Sequence, residues 1–182
     1  MRLVLVRHAA VTVRPAVPLR DWHLSPEGRE AAEGLPSDPL WEGIGTLYAS
    51  SEPKAIGTAQ RIAAANGARI LIDSELREVE RGGWSENYRD LAVRYLRREE
   101  IDEWEQRDAA QRRMRVALER VPPGGDVAIV SHGLVLTLLL KDLLNLDSQE
   151  AVNLWSEMRF PDVAILDLSA GRLDRRFGER PT

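Results

Sequence analysis

Three short apolar runs in this chain each lead to a positively charged or imidazole side chain. Residues 3–6 precede Arg7 and His8, residues 46–50 stand a few positions before Lys54, and residues 127–131 precede His132. Continuous runs of aliphatic residues are typical of strands that are buried on both faces of a parallel sheet. Because ligands bind at the carboxyl ends of such strands, these three ends predict a pocket for an anion, most simply a phosphate.

Helix signals alternate with the strand-like runs. Ser25 followed by Pro26 is a helix start, and it predicts a helix over residues 28–35 after an irregular loop at residues 14–22. Pro53 begins a second helix, which we expect to end at Asn66 and Gly67 before a strand at residues 69–72. The order strand, helix, strand indicates a mainly parallel sheet.

The second half of the chain continues this pattern. Residues 87–121 are charge-dense and predict a pair of amphipathic helices, and an apolar helix is expected over residues 134–144. A further helix is expected over residues 151–158, and residues 163–168 and 172–177 predict a hairpin at the sheet edge. We therefore predict one domain over residues 1–182 with a three-layer α/β/α sandwich, a mainly parallel central sheet and an antiparallel edge strand.

The composition narrows the function classes. The net charge is -4 and the pI is about 5.5, so the chain lacks the overall basic field that a nucleic-acid or membrane-surface partner requires. The absence of cysteine excludes disulfides, cysteine zinc sites and thiol catalysis. No apolar segment approaches the roughly 20 residues of a membrane span, and no secretion signal is recognisable, so a cytoplasmic protein is expected.

Two of the three histidines occupy equivalent positions. His8 and His132 each directly follow a predicted strand, and Gly133 then begins a helix whose N-terminus favours anions. His23 lies in the proline-containing loop and is expected to be a surface or loop-packing residue. His8 and His132 are therefore the candidates for phosphate chemistry.

Five short motifs in this order resemble the histidine phosphatase superfamily, which includes phosphoglycerate mutase-like enzymes and many small bacterial phosphatases. Residues 7–9 resemble its Arg-His-Gly signature, and residues 131–133 resemble its late Ser-His-Gly motif. Residues 24–28 are similar to its Leu-Thr-x-x-Gly helix start, and residues 54–59 to its Arg-Ala-x-x-Thr-Ala segment. Glu78, with Gly82 four residues on, resembles the segment that holds the catalytic acid. The resemblance covers nearly the whole chain.

The resemblance implies a metal-independent phosphomonoester hydrolase without a cofactor. His8 would be the nucleophile and would form a phosphohistidine that water then hydrolyses. Glu78 would protonate the leaving oxygen, with Glu80 as the alternative acid. The catalytic set implied is Arg7, His8, Glu78 and His132. With Arg14 added as a hypothesis, the predicted phosphate-binding set is Arg7, Arg14, Ser50, Lys54 and His132.

Three residues depart from the family pattern. Ala9 replaces a glycine, and Lys54 replaces an arginine, so a point charge stands where a bidentate donor is usual. Arg14 stands where the mutase-like members commonly have an asparagine. We hypothesise that Arg14 supplies a second bidentate donor and partly compensates for Lys54.

Several alternatives stay open at this point. A mutase-like phosphotransferase is disfavoured because the sugar-acid mutases of the family generally carry longer insertions than 182 residues allow. A phosphate-binding domain with weak turnover is the non-enzymatic alternative, and a metal hydrolase is disfavoured because arginine beside His8 would repel a cation. The expected partner is a small phosphorylated molecule or a phosphopeptide, and the sequence predicts neither the exact substrate nor an oligomeric state.

Overall fold

The computed structural model describes residues 1–179, which are arranged around a six-stranded sheet. Its strands are β1 (Arg2–Arg7), β2 (Thr46–Ser50), β3 (Arg69–Asp73), β4 (Val127–Ser131), β5 (Asp162–Asp167) and β6 (Arg172–Arg175). Their spatial order is β3-β2-β4-β1-β5-β6. The first four strands in this order are parallel, whereas β5 is antiparallel to β1 and β6 is antiparallel to β5.

Helices cover both faces of this sheet. They are α1 (Pro26–Gly34), α2 (Pro53–Asn66), α3 (Tyr88–Leu96), α4 (Arg107–Glu119), α5 (Gly133–Leu143) and α6 (Ser148–Glu157). Successive side chains of a strand point to opposite faces. Accordingly, Leu3 and Leu5 of β1 pack with α3, α4, α5 and α6, whereas Val4 and Val6 pack with α2. This arrangement confirms the predicted three-layer sandwich.

Local sequence explains where the helices begin and end. The Ser25 hydroxyl accepts a hydrogen bond from the Gly28 N–H at 3.0 Å and caps α1, as predicted. At the end of α2, Gly67 adopts a left-handed conformation with φ of 71°, which glycine tolerates best. Helix α6 begins three residues before its predicted start because Asp147 and Glu150 form a capping box.

The second half of the chain contains the predicted pair of amphipathic helices and the predicted hairpin. The pair is α3 and α4, separated by an irregular segment at residues 97–106. In the hairpin, β5 pairs with β1 inside the sheet, so only β6 lies at the edge. The apolar side chains of Val163 and Ala164 in β5 are buried, which fits an interior strand.

The strand register places the carboxyl ends of β1, β2 and β4 at one edge of the sheet. Arg7 pairs with Ser131, and Ala49 pairs with Val130. The residues that directly follow these strands therefore lie close together.

None of the helices within residues 1–179 combines the length and apolar composition that crossing a membrane requires.

Candidate active site

His8 and His132 lie side by side at the ends of β1 and β4. Their ring centroids are 5.0 Å apart, and the ring planes are inclined by 64°. The His8 N–H donates to the Ser131 carbonyl at 2.9 Å, so pairing between the two strands continues past β1 and brings the rings together. Both side chains are buried, with 6% of His8 and 0% of His132 exposed.

The surroundings of His8 favour a neutral ring with its Nε2 lone pair free. Nδ1 lies 2.8 Å from the Ala9 carbonyl oxygen. Because a carbonyl only accepts hydrogen bonds, Nδ1 carries the ring proton and Nε2 is unprotonated in the neutral ring. Burial lowers the pKa of His8 well below its ordinary value, and nearby His132 and Lys54 lower it further. This imidazole can therefore act as a nucleophile near neutral pH.

His132 contacts the end of β2. Its Nε2 shares a hydrogen bond of 2.8 Å with the Ser50 hydroxyl, which also accepts from the Glu52 N–H at 3.2 Å. The Nδ1 atom is buried and has no hydrogen-bond partner among residues 1–179. Burial lowers the pKa of His132 well below its ordinary value, and the charges of Lys54 and Arg81 act in the same direction.

Arg7 is held beside the histidines by packing on several sides. Its Nη1 donates to the Met158 carbonyl at 3.0 Å, and its guanidinium lies 3.5 Å from the centroid of the Phe160 ring. A Cβ atom on Gly133 would lie 3.2 Å from both Cζ and Nε of Arg7 and 3.2 Å from Nε1 of Trp155. Glycine at the start of α5 therefore lets Arg7 approach the helix N-terminus.

Lys54 lies in the same cluster, but its ammonium group already has two protein partners. It forms an ion pair with Glu52 and donates to the Leu19 carbonyl at 2.8 Å. Glu52 in turn accepts from the Glu78 N–H at 2.8 Å and lies 3.5 Å from Nε2 of His132. An ammonium has three donors, so one N–H of Lys54 stays available for a further acceptor.

The Glu78 carboxylate lies at the N-terminus of α5. It accepts from the N–H groups of Val79 at 2.9 Å, Leu134 at 3.3 Å and Val135 at 3.2 Å. The alternative acid Glu80 is exposed. The structure thus brings the side chain of Glu78 to backbone N–H groups two and three residues after His132.

Ala9 and Arg14, two residues that depart from the family pattern, differ in their exposure to solvent. Ala9 is fully buried and packs with Leu24 and Ala32, so its methyl group is accommodated beside the site. Arg14 lies in the exposed loop after β1, where its backbone carbonyl accepts from the Trp22 indole N–H at 3.1 Å. Within residues 1–179, the structure brings Arg7, His8, Ser50, Lys54, Glu78 and His132 together, and it does not place Arg14 among their contacts.

Sequence reasoning missed two residues of this cluster. Glu52 is buried at 8% exposure and contacts Lys54, His132 and the Glu78 backbone. Phe160 stacks on Arg7, and its ring centroid lies 5.4 Å from that of His8. The one signal for Glu52 was an acidic residue directly before the proline that begins α2, whereas no local pattern distinguishes Phe160.

Comparison with known proteins gives a family match. The sequence model described as the histidine phosphatase superfamily (branch 1) matches residues 3–168. A search of curated proteins finds no match.

Solved structures match over nearly the full chain at low sequence identity. The mycobacterial glucosyl-3-phosphoglycerate phosphatase Rv2419c superimposes with a TM-score of 0.76 and 21% identity, covering 98% of this chain and 99% of that one. Bacillus stearothermophilus YhfR gives a TM-score of 0.78 and 22% identity, covering 98% of this chain and 97% of that one. Thermus thermophilus TTHB049 gives a TM-score of 0.66 and 21% identity, covering 99% and 100%. At these identities, the matches show a shared fold.

Proposed function

This chain belongs to the histidine phosphatase superfamily, and we propose that it is a metal-independent phosphomonoester hydrolase with His8 as its nucleophile. The observation that carries the proposal is the neutral, buried His8 ring, whose Nδ1 is bound to the Ala9 carbonyl while the ring packs against His132. This geometry leaves Nε2 as the reactive atom.

The reaction proceeds in two displacements at phosphorus. In the first, the Nε2 lone pair of His8 forms an N–P bond, the ester P–O bond breaks, and protonated Glu78 gives its proton to the leaving oxygen. In the second, water attacks phosphorus and gives a proton to Glu78, and the N–P bond breaks. Inorganic phosphate leaves and the neutral histidine is restored.

The remaining side chains of the cluster would stabilise the transferring phosphoryl group. Nε of Arg7 and Nδ1 of His132 are buried without partners among residues 1–179, and buried polar atoms normally have a hydrogen-bond partner. Equatorial phosphoryl oxygens would supply that partner, with the free N–H of Lys54 as a further donor, while the one O–H of Ser50 donates to Nε2 of neutral His132. Arg14 lies on an exposed loop and is left out of this proposed set.

Glu78 is preferred over Glu80 as the proton donor because of where the two side chains lie. The Glu78 carboxylate lies against the N-terminus of α5, just after His132, whereas the Glu80 side chain is exposed. A proton donor must lie within hydrogen-bonding reach of the leaving oxygen.

The substrate is proposed to be a small phosphomonoester. This is in keeping with the names of the structural neighbours, one of which is a glucosyl-3-phosphoglycerate phosphatase. His8, His132 and Lys54 are all buried, which suits a phosphoryl group that enters on a small or slender molecule.

Release of phosphate from nitrophenyl phosphate, with excess chelator, tests the proposal. We expect turnover by the wild type, turnover at background level in His8→Ala, and an acid-labile phosphoenzyme after rapid quenching of the wild type. His23→Ala is the matched control, because His23 is exposed in the loop after β1 and should leave turnover unchanged. Equal turnover by the wild type and His8→Ala would refute His8 as the nucleophile.

A phosphate-binding domain with weak turnover is the second candidate, and the Lys54–Glu52 ion pair favours it. A lysine paired with a buried carboxylate offers less positive charge to a phosphoryl group than a free arginine does. In the same assay, this candidate predicts turnover at or near background level for both proteins, together with saturable binding of vanadate.

A further inference from the structure

Arg113 projects from α4 onto the segment that carries Glu78. Its Nη1 donates to the carbonyls of Glu75 at 2.6 Å and Arg77 at 2.7 Å, and its Nη2 donates to the carbonyl of Glu78 at 3.1 Å. Its Nε and Nη2 also donate to the two carboxylate oxygens of Glu105 at 2.8 and 2.7 Å. A guanidinium has five N–H donors, so every donor of Arg113 is used.

Glu105 binds the backbone on the C-terminal side of Glu78, at Glu80. One of its carboxylate oxygens accepts from the Glu80 N–H at 3.2 Å, and its own N–H donates to the Glu80 carbonyl at 2.7 Å. Arg113 and Glu105 together therefore fix the backbone both before and after Glu78.

The ion pair between these two residues is shielded from solvent. The side chains of Arg113 and Glu105 are 6% and 11% exposed. Burial alone raises the pKa of Glu105, but the hydrogen bonds and charge of Arg113 leave it below its ordinary value. The bidentate geometry is one that arginine forms and lysine does not.

The backbone of Glu78 is thus fixed at both polar groups. Its N–H is bound by Glu52 and its carbonyl by Arg113, while its carboxylate lies against the N-terminus of α5. A proton donor must be placed within about 0.5 Å of its productive position to be effective. The elements that carry these contacts are separate, so only the folded chain defines the position of this carboxylate.

We propose that Arg113, through its bidentate pair with Glu105, is a positioning residue that places the Glu78 carboxylate for proton transfer to the leaving oxygen. This inference rests on the proposed function, because it requires Glu78 to be the proton donor. A purely structural role for Arg113 would lower stability without changing how the rate depends on the leaving group.

The test compares two aryl esters that differ in their need for a proton. The phenolate of phenyl phosphate is a poor leaving group, whereas that of dinitrophenyl phosphate leaves readily without protonation. The ratio of kcat/KM for the two esters therefore reports how well the proton donor is placed, and kcat/KM excludes the later hydrolysis of the phosphoenzyme. The variants are Glu78→Gln, Arg113→Lys, Arg113→Met and Glu105→Gln.

We expect Glu78→Gln to lower kcat/KM for phenyl phosphate by about 100-fold, in line with typical general-acid contributions, and to affect the dinitrophenyl ester far less. A smaller loss is expected when the acid is displaced but still present. The value of kcat/KM for phenyl phosphate should fall by about tenfold, and that for the dinitrophenyl ester far less, in Arg113→Lys, Arg113→Met and Glu105→Gln. Arg120→Met is the matched control. Arg120 is the C-cap of the same helix and pairs with Asp73 at 2.9 Å, with its side chain 55% exposed, so the ratio should stay at the wild-type value.

Two results would overturn parts of this scheme separately. If Glu78→Gln lowers kcat/KM equally for both esters, Glu78 is not the proton donor and that part of the proposed function is wrong. A second result concerns Arg113 alone. If Glu78→Gln lowers kcat/KM selectively for phenyl phosphate, but the Arg113 and Glu105 variants lower kcat/KM equally for both esters or leave both values unchanged, Arg113 does not position the acid. If Arg113→Met does not fold, Arg113→Lys and Glu105→Gln decide the question, because both keep a polar side chain of similar size at the site.

Discussion

At the scale of single residues, the burial of two imidazoles beside fixed cations determines the chemistry that this site can perform. His8 and His132 are both held in their neutral forms, because burial and the charge of Lys54 disfavour a further positive charge. A neutral His8 with a free Nε2 suits nucleophilic attack. The same surroundings would disfavour a mechanism that needs either histidine as a permanent cation.

The pH dependence of kcat/KM follows from the lowered pKa of His8. The proposed reaction needs the unprotonated ring, so activity should be lost as the pH falls through the folded-state pKa of His8. Since burial lowers that pKa, the acid limb should lie below about pH 6.5, the value for a free histidine. The measurement is a pH profile of kcat/KM for nitrophenyl phosphate.

The variant Lys54→Met tests whether the acid limb of the pH profile belongs to His8. Lys54 lowers the pKa of His8, so its removal should move the acid limb to higher pH even where the rate also falls. An acid limb at or above pH 6.5 in the wild type, or one that Lys54→Met leaves in place, would contradict the assignment to His8.

At the scale of elements, the site depends on how closely helix starts approach the strand ends. Gly28 in α1 has no room for a side chain, because a Cβ atom there would lie 2.0 Å from the Ala10 carbonyl oxygen. A Cβ atom on Gly133, at the start of α5, would lie 3.2 Å from Arg7, which is also a tight approach. These two glycines therefore let the starts of α1 and α5 pack closely against the segment that follows β1 and against the end of β1, respectively.

Gly133→Ala is expected to weaken phosphate binding without unfolding the protein. The added methyl group would lie 3.2 Å from Cζ of Arg7, so the guanidinium must shift by a few tenths of an ångström from its place beside His8. We expect vanadate inhibition to weaken about tenfold, equivalent to about 1.4 kcal/mol. Steady-state inhibition and thermal unfolding measure the two effects.

Gly34→Ala is the matched substitution. Gly34 is also helical, and a Cβ atom there meets nothing within 4 Å. Vanadate inhibition should therefore be unchanged, and the protein should gain about 0.5 kcal/mol of stability because alanine favours a helix. Equal inhibition constants for Gly133→Ala and the wild type would show that Arg7 does not set phosphate affinity.

At the scale of the whole molecule, β1 connects the two layers of the core with the site. It lies between β4 and β5, and its side chains pack alternately into the cores on the two faces of the sheet. The end of β1 that carries Arg7 belongs to the site, whereas Leu3, near the other end, pairs with Val127 and Leu166.

Leu3→Ala should therefore lower stability and leave the chemistry intact. Leu3 is fully buried, and removal of such a side chain costs about 2–5 kcal/mol. We expect this loss in urea unfolding, with wild-type kcat at temperatures where the variant is folded. Val116→Ala, at a residue that is 40% exposed, should change stability by less than about 0.5 kcal/mol. A similar loss for both variants would contradict the central place of β1.

The sequence predicted the elements well because their signals are local. The apolar runs, the Ser25 cap and the Gly67 helix end correspond to the observed elements within a few residues. Two features differ from the sequence prediction, the start of α6 and the interior place of β5. The first has a local signal, the capping box formed by Asp147 and Glu150. The interior place of β5 has no local signal, because the order of strands in a sheet depends on how the whole chain packs.

The sequence by itself determined the alternation of strands and helices, and with it the edge of the sheet where His8, Lys54 and His132 meet. Only the tertiary structure decided the partners of the charged groups. Glu52 and Glu78 are 26 residues apart, and Arg113 lies 35 residues from Glu78. Hydrogen bonds between such distant residues leave no periodic pattern in the chain, since they form only after the helices have packed on the sheet. The exposed place of Arg14 was also decided only in the folded chain, whereas Lys54 and its partner Glu52 are neighbours in the sequence.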